Sequence, residues 1–407
     1  MTHTLENYRD DFPVLQQSMN GKPLAFLDSA ASAQKPSFVI EKMNEILTSR
    51  YSNIHRGLYK ISQDLTADYE VVRSKVSGFL GTQNEREIVF TRNSTESINL
   101  VAQSYGRTFL KKGDEVLISA MEHHANIVPW QILKEQIGIE LKIIPVLDDY
   151  TLDLEAAEKL INPQTRIVSI VHKSNACGTV NDVIKIKDIA RAKAPNVKVL
   201  IDGSQSVVHS AIDVKELDCD FFVFTGHKLY GPSGIGVLWG REELLNEMPP
   251  YQGGGDMIER VTFEKSTYRE APYKFEAGTP AITEVIGLGA AIDYVSKVGF
   301  KAIEAHEKAL SHYTIERLKE VEGLTLHAHE GVTSVFPFTM EGTHPSDIGM
   351  ILDQCGVAVR AGHHCCMPLL QRFDLDATVR ASLGLYSNKG DIDQLIEGLQ
   401  KVKSLFG

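Results

Sequence analysis

Between about residues 85 and 240, short apolar runs alternate with longer stretches of helical period, and few folds accommodate that alternation. Each run reads as a strand and each longer stretch as a crossover helix. The pattern therefore predicts repeated β-α units and a mostly parallel sheet. The strand candidates are residues 87–90, 115–119, 141–146, 166–171, 197–201, 221–224 and 235–239, seven in all. Several are apolar throughout, as strands covered on both faces should be. The C-terminal ends of these runs carry Thr91, His123, Asn175, Asp202, Gln205, His227 and Lys228. Ligands bind at that edge of an open α/β sheet, so the polar residues gather where a site is expected.

Residues 249–279 break the rhythm with Gly253-Gly254-Gly255, several aromatics and mixed charge. They read as a long irregular connection, a kind of segment that commonly serves function or an interface. Helical pattern resumes at 284–297 and 301–320. Short strands near 333–338, 357–360 and 378–381 and a helix at 391–405 complete a smaller α+β unit. A chain of 407 residues is long enough for two or three units at about 150 residues each. The expected organisation is an N-terminal segment, 1–20, packing on the small domain, a large α/β domain, 21–290, and a small C-terminal domain, 291–407, with the cysteine-rich loop.

With 43% hydrophobic and 23% charged residues, the chain matches globular composition and not disorder. Its formal charge of −11 is spread without acidic or basic blocks. Neither a phosphate-backbone footprint nor a polybasic membrane segment is present, so nucleic acid and membrane are not expected partners. The N-terminus lacks a signal-peptide apolar stretch, and no window reaches about 18 uninterrupted apolar residues. The cytoplasm is the expected location. Five cysteines, Cys177, Cys219, Cys355, Cys365 and Cys366, are too few and too scattered for a disulfide framework, and none forms a C-x-x-C pair. Reduced thiols and no metal site are expected.

Phe221 to Thr225 is an apolar run that leads through Gly226 and His227 to Lys228. Burial at a strand mouth lowers a lysine pKa and frees the amine for a Schiff base, which is what pyridoxal phosphate requires. Val199-Leu200-Ile201 ends in Asp202, 26 positions earlier. A carboxylate there can keep the cofactor's pyridine nitrogen protonated, or it can cap a helix starting near Ser204. The run ending at Phe90 leads into Thr91-Arg92-Asn93-Ser94-Thr95 and a helix from about Glu96. Amides and hydroxyls at that turn can receive a phosphate, and Ser94 and Thr95 can also serve only as caps. Walker-type spacing is lacking.

His123 and His124 follow the 115–119 run, where one imidazole can stack on a flat ring and shuttle protons. Adjacent histidines diverge and no metal spacing completes them. The loop Arg360-Ala361-Gly362-His363-His364-Cys365-Cys366 sets a thiol beside histidines and arginines, which favours the reactive thiolate. If the loop is extended, the two adjacent thiols point to opposite sides. Four consecutive ligands from His363 to Cys366 converge poorly on one tetrahedral ion. Arg380 offers a planar fork suited to a carboxylate.

The motifs LDSAASAQKP, NIHRG, MEHHANIVPW, SNACGTV, IDGSQ, FTGHKLYGPSGIG, FEAGTP and RAGHHCCMPL, in that order, resemble the Suf-type (group II) cysteine desulfurases, fold-type-I pyridoxal-phosphate enzymes of the class-V aminotransferase family. The resemblance runs from about residue 11 to the C-terminus. It implies Lys228 as the Schiff-base lysine, Asp202 at the pyridine nitrogen and Gln205 at the phenolic oxygen. Thr95, Thr225 and His227 would hold the phosphate, and Thr279 would reach the phosphate of the neighbouring subunit. His123 would stack on the ring, Asn175 and Arg380 would bind the substrate carboxylate, and Arg360 and His55 would also face substrate. Cys365 would carry sulfur as a persulfide. The implied reaction converts L-cysteine to L-alanine and passes sulfur to a SufE-like or SufU-like acceptor for iron-sulfur cluster assembly, in a homodimer. A selenocysteine lyase, a cysteine-sulfinate desulfinase, a non-catalytic cofactor-binding assembly scaffold and a zinc-binding interaction protein are the other readings. This chain departs from the family's pattern at Ala176-Cys177 and at Cys366.

Overall fold

The structure is a computed structural model that describes residues 5–406; residues 1–4 of the expected N-terminal segment and residue 407 of the expected small domain lie outside the described residues. Seven strands form the main sheet: β1 (Ile88–Thr91), β2 (Glu115–Ser119), β3 (Glu140–Ile144), β4 (Thr165–Val171), β5 (Lys198–Asp202), β6 (Phe221–Thr225) and β7 (Gly236–Gly240). Their order is β1-β7-β6-β5-β4-β2-β3. Only β7 runs against the rest, paired antiparallel to both β1 and β6. The predicted mostly parallel α/β sheet is present, with strand ends moved by one or two residues. All residues of β1, β6 and β7 are buried, which accounts for their unbroken apolar sequences.

Strand β7 begins so close to the turn after β1 that a Cβ on Gly236 would lie 2.5 Å from the Asn93 backbone. That approach brings the ends of β6 and β1 to one spot. Residues 249–279 are less irregular than the sequence suggests, because β8 (Ile258–Val261) and β9 (Ser266–Tyr268) form an antiparallel pair. Their side chains are mostly exposed, so no apolar alternation announced them.

A second, four-stranded sheet has the order β10-β11-β13-β12: β10 (Leu324–Leu326), β11 (Val335–Met340), β12 (Arg360–Gly362) and β13 (Thr378–Ser382). Its own apolar cluster includes Phe336, Phe338, Leu352 and Val379 and is backed by the helix Lys389–Phe406. The strand expected over 357–360 splits in two. Val357 and Ala358 pair in parallel with Ala25 and Phe26, while Arg360 crosses to β13. Chain near residue 25 is thus stitched beside the small sheet. From the N-terminal segment, Arg9 bonds Asp391 at 2.9 Å, and Phe12 packs edge-on against Tyr386. Among the described residues no helix is long and apolar enough to cross a membrane.

One buried ion pair ties the 270–280 segment to the sheet. Arg73, 1% exposed, grips both oxygens of Glu276 at 2.7 and 3.0 Å, donates to Ile88 O and stacks over Phe90. Glu276 also accepts the Phe90 amide at 2.7 Å. Without Glu276, the buried Arg73 keeps as counter-charge only the half-buried Glu70, at 2.9 Å from its Nε. Glu276→Ala should therefore cost about 3–5 kcal/mol, read as a fall in denaturation midpoint, whereas Glu276→Gln, which keeps an acceptor for Phe90, should cost less.

Candidate active site

The C-terminal edge of the parallel strands opens into a cavity of about 410 Å³. Thr95, His123, Asn175, Asp202, Gln205, Thr225, His227, Lys228, Arg360, Cys365 and Arg380 all line it. Each comes from a strand end, the loop after it, or the small sheet, so closing the two sheets together is what assembles the cavity.

The first wall is a turn and a helix N-terminus. The helix starts at Ser94, earlier than the sequence suggested, and its cap is Asn93, whose side chain accepts from Glu96 N at 2.9 Å. The hydroxyls of Ser94 and Thr95 are therefore not needed as caps. Opposite them Thr225 Oγ1 is buried without a hydrogen-bond partner, as are Ser204 Oγ, Gln205 Oε1 and Arg380 Nε, all from residues lining the cavity. A buried polar atom left unpaired costs roughly 1–3 kcal/mol. Several on residues that line one cavity indicate a polar ligand, and donors and acceptors of these kinds suit the phosphate, ring nitrogen and phenolic oxygen of pyridoxal phosphate. Gln205 Nε2 donates to Ala30 O at 2.8 Å, so its second N–H is the one left for a ligand oxygen. Asp202 accepts Ser204 N at 2.9 Å through one oxygen, and the short helix beyond, Ser206–His209, takes no cap from it.

Burial sorts the ionisable groups. Lys228 is half-buried on the cavity wall, and desolvation, opposed by the Asp202 charge, lowers its pKa to about 8. His123 falls to about 4 through burial and the nearby Lys228 charge. Its Nδ1 accepts the Ala125 amide at 3.0 Å, so the proton of the neutral ring sits on Nε2. His227 falls to about 4 for the same reasons, burial first. Behind His123, Glu122 is fully enclosed and rises to about 7, while accepting from Ser119, Asn126 and Val171 N.

The cysteine loop forms the remaining wall. His364 and Cys365 have φ of 51° and 56°, so the segment is left-handed and not extended. The divergence of the two thiols has that turn as its cause. Cys365 is exposed at the cavity, whereas Cys366 is fully buried, donates to Asn175 Oδ1 at 3.3 Å and has its pKa pushed far up by burial. Asn175 Nδ2 donates to His364 O at 2.7 Å, so this amide braces the loop and keeps one N–H for a ligand. His364 Nε2 meets Thr378 Oγ1 at 2.8 Å, which draws it away from Cys365.

Arg380 is 2% exposed. It donates to Asn175 O at 2.8 Å and to Asp28 at 3.2 Å, while Arg360 binds Asp28 through two nitrogens at 3.0 and 3.3 Å. Asp28 is the site residue that sequence reading missed, although LDSAASAQKP drew attention to its segment. Glu122 was passed over in the same way inside MEHHANIVPW, and His124 was weighed there only as a metal ligand beside His123. Two expected residues are not brought to this cavity. Thr279 lines a neighbouring one with Arg92 and Glu96, and the His55 ring is held by Glu70 at 3.1 Å and lies edge-on to Tyr69.

Comparison with known proteins gives one consistent picture. The aminotransferase class-V family model matches residues 25–395. Cysteine desulfurases of Dickeya dadantii and Serratia proteamaculans are 48% and 47% identical, each aligned over all of both chains. The crystal structure of the Escherichia coli cysteine desulfurase CsdA superposes with a TM-score of 0.93 at 37% identity over all of both chains. A fold, a cavity whose unpaired groups suit the cofactor, and full-length relatives agree: the chain belongs to the class-V aminotransferase family of pyridoxal-phosphate enzymes, among the cysteine desulfurases.

Proposed function

We propose that this chain is a Suf-type cysteine desulfurase that moves sulfur from L-cysteine onto Cys365 and then to an acceptor protein. The observation that carries the reading is the pairing of an exposed thiol, Cys365, with a cavity that also holds Lys228 and Asp202, while the adjacent thiol is shut away. Pyridoxal phosphate, when bound, supplies an electron sink for charge developing at the substrate α-carbon. Thr95, Thr225 and His227 hold its phosphate, Asp202 its ring nitrogen and Gln205 its phenolic oxygen.

The chain's own groups do the rest. Arg380 and Arg360 take the substrate carboxylate, sharing their charge with Asp28. Lys228, with its lowered pKa, accepts the α-proton as a neutral amine. Cys365 sulfur attacks the substrate sulfur: an S–S bond forms, the substrate carbon–sulfur bond breaks, and the proton that Cys365 gives up reaches the carbon product by relay through His123 Nε2, which takes one proton as it passes one on. L-cysteine and the Cys365 thiol yield L-alanine and a Cys365 persulfide, so no outside oxidant or reductant is needed. The exposure of Cys365 suits collection of that sulfur by a SufE-like or SufU-like acceptor serving iron-sulfur cluster assembly. The five free thiols fit a reducing cytoplasm. In a homodimer, Thr279 and His55 would serve the neighbouring subunit's cavity, which fits their position outside their own. Residues 21–290 and 291–407 act as the cofactor-binding and thiol-bearing units.

Cys365→Ser should leave cofactor binding intact and abolish persulfide and alanine, whereas Cys366→Ala should keep most turnover. Peptide mass spectrometry after one turnover without acceptor locates the sulfur; finding it on Cys366 would overturn the choice of nucleophile.

The Lys228 shift makes a second prediction. With a pKa near 8 the neutral amine fraction rises with pH up to about 8 and then levels, well below the ordinary 10.5. Uptake of pyridoxal phosphate by the apoprotein, followed by its visible absorbance, should accelerate about tenfold per pH unit below that point and flatten above it. A rate still climbing at pH 10 would mean a solvated lysine.

A further inference from the structure

Among the described residues, one set of side chains has the spacing of metal ligands: His124, His363 and Cys365 each offer one nitrogen or sulfur atom, all within 4.8 Å of one another. The set could not be read from the sequence, because His124 comes from the loop after β2 and the other two from the cysteine loop. Two hydrogen bonds stitch these loops together. The His124 amide donates to Cys365 O at 2.8 Å, and the Met367 amide donates to His124 Nε2 at 3.1 Å. The two imidazoles lie side by side, 5.5 Å between centroids and inclined by 35°. His363 Nδ1 accepts the Cys365 amide at 3.1 Å, which leaves its Nε2 as the ring atom available to a metal.

Two imidazoles and one thiolate form a donor set suited to zinc, with a fourth position for water. Zinc bonds of about 2.0–2.3 Å put tetrahedral ligand atoms roughly 3.3–3.8 Å apart, so the set needs to close by only about 1 Å. Cys365 is exposed and free to turn, and His124 can exchange its Met367 contact for the metal.

We propose that His124, His363 and Cys365 bind a zinc ion that caps Cys365. On binding, the Cys365 thiol proton passes to solvent and the sulfur becomes a metal thiolate. Its lone pair is then withdrawn from attack on substrate sulfur until a chelator or competing thiol removes the ion. The site stands on geometry alone; its consequence for sulfur transfer rests on the reading of Cys365 as the nucleophile.

The test uses the holoenzyme, freed of metal with EDTA and kept anaerobic. Cobalt, a spectroscopic stand-in for zinc, should bind one equivalent per chain with tetrahedral d–d bands and a thiolate charge-transfer band that Cys365→Ser removes. His124→Gln, which retains an acceptor for the Met367 amide, and His363→Gln should each weaken binding at least as much as the roughly 10–100-fold lost with even an outer-sphere partner. Zinc should slow alkylation of Cys365 by iodoacetamide in the wild type and not in either histidine variant, as read by peptide mass. Cobalt affinity in either histidine variant equal to that of the wild type, or Cys365 alkylation indifferent to zinc, would overturn the proposal. None of these readouts involves turnover, so alanine production by Cys365→Ser would sink the nucleophile reading and leave the metal result standing.

Discussion

A guanidinium that is 2% exposed needs a counter-charge, and Arg380 finds it in Asp28. That pair joins residues 352 apart in sequence, and Arg360 binds the same carboxylate from β12. Around it the structure falls into place. The segment holding Asp28 is pinned beside the small sheet by pairing of Ala25 and Phe26 with Val357 and Ala358. Arg380 also holds the Asn175 carbonyl, and the Asn175 amide braces the cysteine loop. One shared carboxylate thus links the edge of the large sheet, the small sheet and the thiol. Asp28 also offsets the repulsion between two neighbouring arginines.

Adjacent cysteines with opposite environments illustrate how much a local backbone turn can decide. Left-handed conformations at His364 and Cys365 rotate successive side chains to different sides. Such conformations are uncommon outside glycine, and here hydrogen bonds from Asn175, His124 and Thr378 hold them. The buried Cys366 thiol resists ionisation, so its reactivity is suppressed without removing it. Its neighbour a single residue away, Cys365, is exposed. The same turn brings Cys365 toward His124 and His363, and so one piece of geometry both presents the sulfur and makes it accessible to a metal.

Desolvation acts across the whole cavity. It brings the loss of charge from Lys228 down to about pH 8, leaves His123 and His227 neutral above about pH 4, and pushes Glu122 toward neutrality from the other side. These two imidazoles are thus neutral, and four of the cavity's lining residues, Ser204, Gln205, Thr225 and Arg380, each keep a buried polar atom without a partner.

The sequence by itself determined the sheet and the address of the site. Strands buried on both faces must be apolar throughout, and polar residues at their ends must face the ligand edge, so the seven strands, Lys228 and Asp202 were all legible in the chain. The order of motifs carried the family. Strands β8 and β9 were not legible, because a pair exposed to solvent leaves no alternation to read. Nor were Asp28, Glu122 or the grouping of His124 with Cys365. An acid near the N-terminus has no local reason to meet arginines more than 300 residues later, and two histidines in sequence diverge until a second loop closes over one of them. Local periodicity reports which side of an element is buried; which distant charge fills the space beside it is decided only when the two sheets close, because desolvation then penalises every group left without a partner.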